Sequence, residues 1–210
     1  MTDTMVRDPE AAATPAARDE ASTPAPAEPS PGLWALIKED VQHNGGWGRP
    51  GARAMVAYRC AAAALNLKTP IIRKFVRRGT RSILYSIRNA YGIELYPTAK
   101  IGRRLVIGHQ NGIVVHEHAR IGDDCVIRQG VTMGLARMDS VHWAMPENAP
   151  TLGNRVDVGA GAILMGNVVI GDDVRIFPNA VVMTNVPANS TVVSPVSRIM
   201  TRSSEAPAAS

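Results

Sequence analysis

Leu152-Gly153-Asn154-Arg155-Val156-Asp157-Val158-Gly159-Ala160-Gly161-Ala162-Ile163-Leu164-Met165-Gly166-Asn167-Val168-Val169-Ile170-Gly171-Asp172-Asp173-Val174-Arg175-Ile176 carries an aliphatic residue at every sixth position: Leu152, Val158, Leu164, Ile170 and Ile176. Glycine follows directly at 153, 159 and 171, and a small or β-branched residue stands four places on at 156, 162, 168 and 174. A period of six fits neither a helix, which repeats every 3.6 residues, nor a flat strand, which repeats every two. It fits short strands joined by tight turns into a triangular coil, a parallel β-helix. The aliphatic residue points into the prism, the small residue fills what space is left, and the glycine gives the corner its backbone freedom.

The same register runs outward on both sides. It takes in Leu95, Ile101 and Ile107, then Val115, Ile121, Ile127 and Met133, and ends on Val182 after Ile176, thirteen positions in all. Two breaks interrupt it: a step of eight between Ile107 and Val115, and a step of nineteen between Met133 and Leu152. A loop thrown out from a rigid coil is a usual place for function. Aromatic residues make up only 4% of the chain, so a core of Val, Ile, Leu and Ala in a narrow prism suits the composition.

Ahead of the coil the period changes to that of helices. Leu33, Leu36 and Ile37 share a face that His43-Asn44-Gly45-Gly46 closes. Pro50 opens a second helix through Met55, Val56, Tyr58 and Leu65. Thr69-Pro70 opens a third, with Ile72, Phe75, Val76, Ile83 and Ile87 at a 3–4 spacing and an interruption expected near Gly79. The organisation expected is a disordered tail over 1–31, a basic α-helical segment over 32–92, the β-helix over 93–200 and a short tail over 201–210. The first tail has too few large apolar groups to offset chain entropy.

The net charge is +5, and the excess is local: from Val41 to Ile93 there is no acidic residue, whereas Arg73, Lys74, Arg77, Arg78, Arg81 and Arg88 crowd the third helix. A solvated helix face, or one paired with acidic groups elsewhere, is favoured over an anionic partner such as phosphates or a polyanion. Contact of residues 70–90 with a membrane surface is likewise less favoured, and no nucleic-acid partner is expected. Cys60 and Cys125 are the only cysteines, too few for a disulfide framework. With no apolar run long enough to span a bilayer and no leader-like start, a cytoplasmic setting is expected.

The first break in register holds Gly108-His109-Gln110-Asn111-Gly112-Ile113-Val114-Val115-His116-Glu117-His118. Histidine titrates near neutrality and suits proton transfer. His116 and His118 lie at i and i+2, on one strand face, but no further Cys or His completes a ligand set, so no metal is expected.

The stretch 93–200 resembles the hexapeptide acyltransferases, and among them the serine acetyltransferases, as a divergent member. The segments that carry the likeness are His109-Gln110-Asn111-Gly112-Ile113-Val114-Val115, Gln129-Gly130-Val131-Thr132-Met133-Gly134, Val158-Gly159-Ala160-Gly161-Ala162-Ile163-Leu164 and Asn185-Val186-Pro187. The resemblance implies a left-handed coil, a homotrimer with active sites between subunits, and acetyl-CoA as cosubstrate. It implies His109 as general base and Glu94, in Glu94-Leu95-Tyr96-Pro97, as the carboxylate that supports it. It implies Gly134, Ala160, Arg175 and the Phe177-Pro178 turn along the cosubstrate, and sets Tyr96 and Asn148 at acceptor-side positions; His142 or Arg137 of the long loop is a candidate for further acceptor contacts.

Three departures from the family pattern stand out. Gly108 replaces an aspartate before the histidine. Asn148-Ala149-Pro150 replaces Arg-His-Pro at the end of the long loop. Tyr96 replaces a histidine. The reaction centre therefore looks kept while the acceptor clamp looks altered. Acetyl transfer to serine or a serine-like molecule is the first expectation, transfer to a sugar hydroxyl the second, and a non-catalytic β-helical scaffold the third. A carbonic-anhydrase-like coil would need histidines that this chain lacks.

Overall fold

The computed structural model describes residues 31–136 and 148–195. Of the expected tails over 1–31 and 201–210, all but Pro31 lies outside these residues, as do Arg137 and His142 of the long loop.

Among the described residues the six-residue repeat becomes fourteen short parallel strands on three faces. Face A holds β1 (Ile93–Leu95), β4 (Ile113–Val115), β7 (Thr132–Gly134), β10 (Ile163–Met165) and β13 (Val181–Val182), stacked in that order. Face B holds β2 (Lys100–Ile101), β5 (Arg120–Ile121), β8 (Thr151–Leu152) and β11 (Val169–Ile170). Face C holds β3 (Val106–Ile107), β6 (Val126–Ile127), β9 (Asp157–Val158), β12 (Arg175–Ile176) and β14 (Thr191–Val192). Every strand pairs with the one a full turn away, so the register is that of the sequence: Ile107 faces Ile127, Ile127 faces Val158, and Leu164 faces Val182. All thirteen periodic positions are at most 7% exposed. Cys125, Val131, Val156, Ala162, Val168, Val174 and Ala180 are buried beside them. Each Val, Leu, Ile or Met among them contributes roughly 1.5–3 kcal/mol by leaving water, and one continuous column of them runs through the coil.

Three helices precede the coil: α1 (Leu33–His43), α2 (Pro50–Leu65) and α3 (Pro70–Tyr91). The first turn of a solenoid has no earlier turn to match its backbone groups, an edge that would otherwise invite pairing. Side chains of α2 and of the α1 C-cap fill that role. The Tyr58 hydroxyl donates to Ala99 O at 2.8 Å and accepts from Ile101 N–H at 3.1 Å. Arg59 donates to Ile101 O and Gly102 O while its Nε holds Asp40 at 2.7 Å. Asn44 donates to Leu105 O and accepts from Ile107 N–H, each at 2.9 Å. Asp40 and Arg59 are both buried, and each is compensated, as buried charges must be.

One expectation is corrected. Helix α3 runs unbroken through Gly79 for 22 residues. Gly79 has open space around it, so the residue costs the helix roughly 1 kcal/mol relative to Ala without a steric reason to break it. The helix ends instead at Gly92, a left-handed C-cap with φ 62° whose N–H donates to Arg88 O.

Candidate active site

The two extra residues between Ile107 and Val115 form a widened corner where face C turns into face A. Asn111 and Gly112 both take left-handed backbone, φ 82° and 69°. Asn111 N–H donates to Tyr91 O, Ile113 N–H donates to Gly92 O, and Asn111 O accepts from Gly130 N–H. A Cβ at Gly92 would come 2.9 Å from Asn111 Cα, so only glycine lets the end of α3 seat on this corner. The bulge is thus pinned from both sides, and it leaves His109 and Gln110 exposed on the outer rim.

The corner belongs to a column. On the same edge, one turn apart, follow Arg128-Gln129-Gly130, then Gly159-Ala160-Gly161, then Phe177-Pro178-Asn179, with left-handed residues at Gly130, Gly161 and Asn179. His109, Ala160 and Phe177-Pro178 therefore line one edge of the coil. The three turns between the first and last of these span about 14 Å at the usual ~4.8 Å strand spacing. Phe177 is 42% exposed. Gly159 is sterically required, because a Cβ there would meet Pro178 N and Phe177 C within 2.7 Å. Gly134, at the end of β7, is not: its Cβ would make an ordinary 3.5 Å contact with Met165 Sδ. Arg175 projects from face C, two-thirds exposed, with Asp157 Oδ2 at 3.6 Å.

Glu94 faces outward from β1, beside Val114 of β4. Its Oε1 accepts a 2.7 Å hydrogen bond from the Tyr96 hydroxyl, and Arg88 Nη1 lies 3.7 Å from the same oxygen. That bond, followed by burial, pushes the Tyr96 hydroxyl up to about 12, so it is a protonated donor at neutral pH. Among the described residues no hydrogen bond or ion pair joins His109 to Glu94. Asn148, at the return of the long loop, is partly buried next to buried Ala149 and Pro150. Sequence reasoning missed Arg88, whose guanidinium lies over the Tyr85 ring at 4.6 Å. The available signal was its place six residues before Glu94, in the last turn of a helix that docks on the His109 corner.

His116 and His118 sit one corner further on, with ring centroids 5.5 Å apart. Burial first, then the neighbouring His118, holds His116 below the usual imidazole range. Among the described residues no group of three His, Cys, Asp or Glu side chains is placed to hold a metal. None of the helices there is long and apolar enough to cross a membrane.

Comparison with known proteins places this arrangement. No family model matches the chain. The serine acetyltransferase of Helicobacter pylori strain J99 is 38% identical over 174 residues, which cover 81% of this chain and 95% of that one. That of Mycobacterium tuberculosis is 34% identical over 158 residues, 75% of this chain and 64% of the relative. Among solved structures, serine acetyltransferase isoform 3 of Entamoeba histolytica in complex with cysteine superposes with a TM-score of 0.64 at 27% identity, covering 81% of this chain. The chain spans 62% of that Entamoeba protein. Soybean serine acetyltransferase complexed with serine gives the same TM-score at 25% identity, over 78% of this chain and 68% of its own.

Proposed function

The chain belongs to the serine acetyltransferase family, and on that premise we propose that it moves the acetyl group of acetyl-CoA to the hydroxyl of serine or a close analogue, with His109 as general base. The observation that carries this reading is the pinned, two-residue-widened corner, which presents the His109 imidazole at the head of an exposed edge shared with Ala160 and Phe177-Pro178.

The imidazole takes the proton of the acceptor hydroxyl as its oxygen attacks the thioester carbonyl. The tetrahedral oxyanion is met by backbone N–H donors. Collapse breaks the C–S bond, and the imidazolium returns its proton to the departing thiolate, leaving free CoA and the O-acetyl product. No acyl-enzyme forms. Glu94 supports the imidazolium once its carboxylate turns from Tyr96 towards His109, the role a carboxylate plays beside a catalytic histidine. Tyr96 and Asn148 border the acceptor, with His142 of the long loop as a further contact.

The cosubstrate lies along the same edge and over the adjoining face A. Its arm runs over Gly134, Ala160 and the Phe177-Pro178 turn, and Arg175 meets its phosphates. Exposed apolar groups at this end of the coil, Val181, Met183 and Val193 beside Phe177, favour a homotrimer in which a neighbouring coil closes the groove. The two thiols, Cys60 and Cys125, are unpaired, which suits a cytoplasmic setting.

The test is thiol release from acetyl-CoA across a panel of amino acids and sugars. Release with serine and not with sugars is expected. Release with sugars alone would move the acceptor to the glycan class, and no release with any acceptor would remove the transferase reading.

A further inference from the structure

Five arginines of the coil and of its helical cap each have a carboxylate partner: Arg59 with Asp40, Arg103 with Glu39, Arg104 with Asp124, Arg128 with Asp157 and Arg155 with Asp173. Helix α3 breaks that habit. Its six cations, Arg73, Lys74, Arg77, Arg78, Arg81 and Arg88, all line one cleft of about 1010 Å³ between the helix and the first turn of the coil. Among the described residues the cleft's carboxylates are Glu94 and Glu117, which leaves an excess of four positive charges among those residues. Only Arg88 has an ion pair, to Glu94 at 3.7 Å; among the described residues the other five have none. Arg73, Arg77 and Arg81 are spaced one helical turn apart, a like-charge arrangement that destabilises an isolated helix.

Cations held together at such a cost, on a concave wall, form a site for an anion. Serine does not fill it: the zwitterion has no net charge, one carboxylate and a small fraction of that volume. Successive guanidiniums one turn apart suit an anion that offers several oxygens to each of two neighbours, since arginine forks match phosphate geometry in pairs. We infer that the α3 wall of this cleft binds a soluble anion carrying two adjacent phosphate groups, directly beside Glu94. The inference stands on the charge and shape of the cleft and does not depend on the acetyl-transfer reading. A membrane headgroup fits less well, because the exposed apolar residues Ile71, Ile72, Phe75 and Ile83 form a different stripe of the helix from the cleft-facing cations.

Calorimetric titration of the full chain with inorganic pyrophosphate tests it. Saturable binding is expected, tighter than for orthophosphate and weakened by added salt. It should weaken about tenfold or more in the double variant Arg77→Ala/Arg81→Ala, the usual scale for losing charge-assisted hydrogen bonds, and be unchanged in Arg120→Ala, an exposed coil arginine away from the cleft. Circular dichroism on both variants keeps the comparison to folded protein. Lysine at both positions restores part of the affinity. Absence of pyrophosphate binding by the wild-type chain would overturn the inference. So would equal loss in Arg120→Ala, or binding to phosphatidylglycerol vesicles in its place.

Discussion

Two edges of the same coil, built from the same six-residue repeat, have been put to different uses. On the edge between faces B and C every corner is the same length. Its left-handed residues, Arg104, Asp124, Arg155 and Asp173, alternate in charge, and pair in twos through double hydrogen bonds, Arg104 to Asp124 and Arg155 to Asp173. Beneath them runs a second ladder in which each corner's carboxylate or amide accepts from the backbone of the turn before: Asp123 from Arg103 N–H, Asn154 from Asp123 N–H, Asp172 from Asn154 N–H. The edge between faces C and A has no such ladder. Its first corner is two residues too long, its side chains include His109, Gln110, Gln129, Ala160 and Phe177, and several of them are exposed. The regular edge uses its polar groups on itself; the irregular edge leaves His109, Gln110 and Gln129 exposed. The proposed placement of the chemistry rests on that difference rather than on any single residue.

Shortening the irregular corner gives the largest expected effect. Deleting Gln110 and Asn111 leaves Gly108-His109-Gly112-Ile113, the pattern of Gly159-Ala160-Gly161-Ala162. The coil is expected to fold with a near-normal thermal midpoint, while acetyl transfer falls at least ~10²-fold because the imidazole is displaced by more than an ångström. Full activity in the shortened chain would mean that the bulge is ornamental.

Next in size is a contrast between glycines. At Gly122 on the regular edge an added Cβ would be driven into the carbonyl of Gly153, so Gly122→Ala is expected to cost about 1–3 kcal/mol, the usual price of overpacking. Gly134→Ala meets only Met165 Sδ at 3.5 Å and is expected to stay within ~0.5 kcal/mol, while weakening CoA binding if the cosubstrate passes there. Denaturant unfolding and CoA titration of the two variants separate the roles.

Asp123→Ala removes one rung of the ladder, whose acceptor oxygen lies 2.7 Å from Arg103 N. A loss of about 1 kcal/mol is expected, with turnover untouched.

The smallest effect is a pH slope. Burial depresses the His116 imidazole in the folded chain, so the unfolded chain binds its proton more tightly. Stability from this group is present above the unfolded value near 6.5 and is lost as pH falls through that value towards the depressed folded one. Replacing His116 by Gln should flatten the slope on the acid side of neutrality; an unchanged slope would assign it to other groups.

Much of the fold was legible because thirteen aliphatic residues in register leave one period to read, and the helices announced themselves through Pro50, Pro70 and the His43–Gly46 stop. Gly79 misled, since a glycine weakens a helix without ending it when neighbouring turns are packed on α2. The charged ladder was invisible: Arg104, Asp124, Arg155 and Asp173 look like surface polarity until the coil stacks them a turn apart. In the site, the widened corner could be read from the step of eight, whereas the choice of His109 among the three nearby histidines rests on the family resemblance. The immediate partner of Glu94 could not be read, because the choice between His109 and Tyr96 is a matter of side-chain rotamer. The cations of α3 read as a solvated face, and only the tertiary fold turns them towards a cleft.

The most direct test of the central claim, that the irregular edge carries acetyl transfer with His109 as its base, is the steady-state rate of thiol release with serine for wild type and His109→Ala, measured beside CoA affinity. The account predicts a loss in kcat of about 10²–10⁴-fold, the range for removing a general base, with CoA affinity and thermal midpoint retained. Near-normal turnover in a folded His109→Ala chain would contradict it.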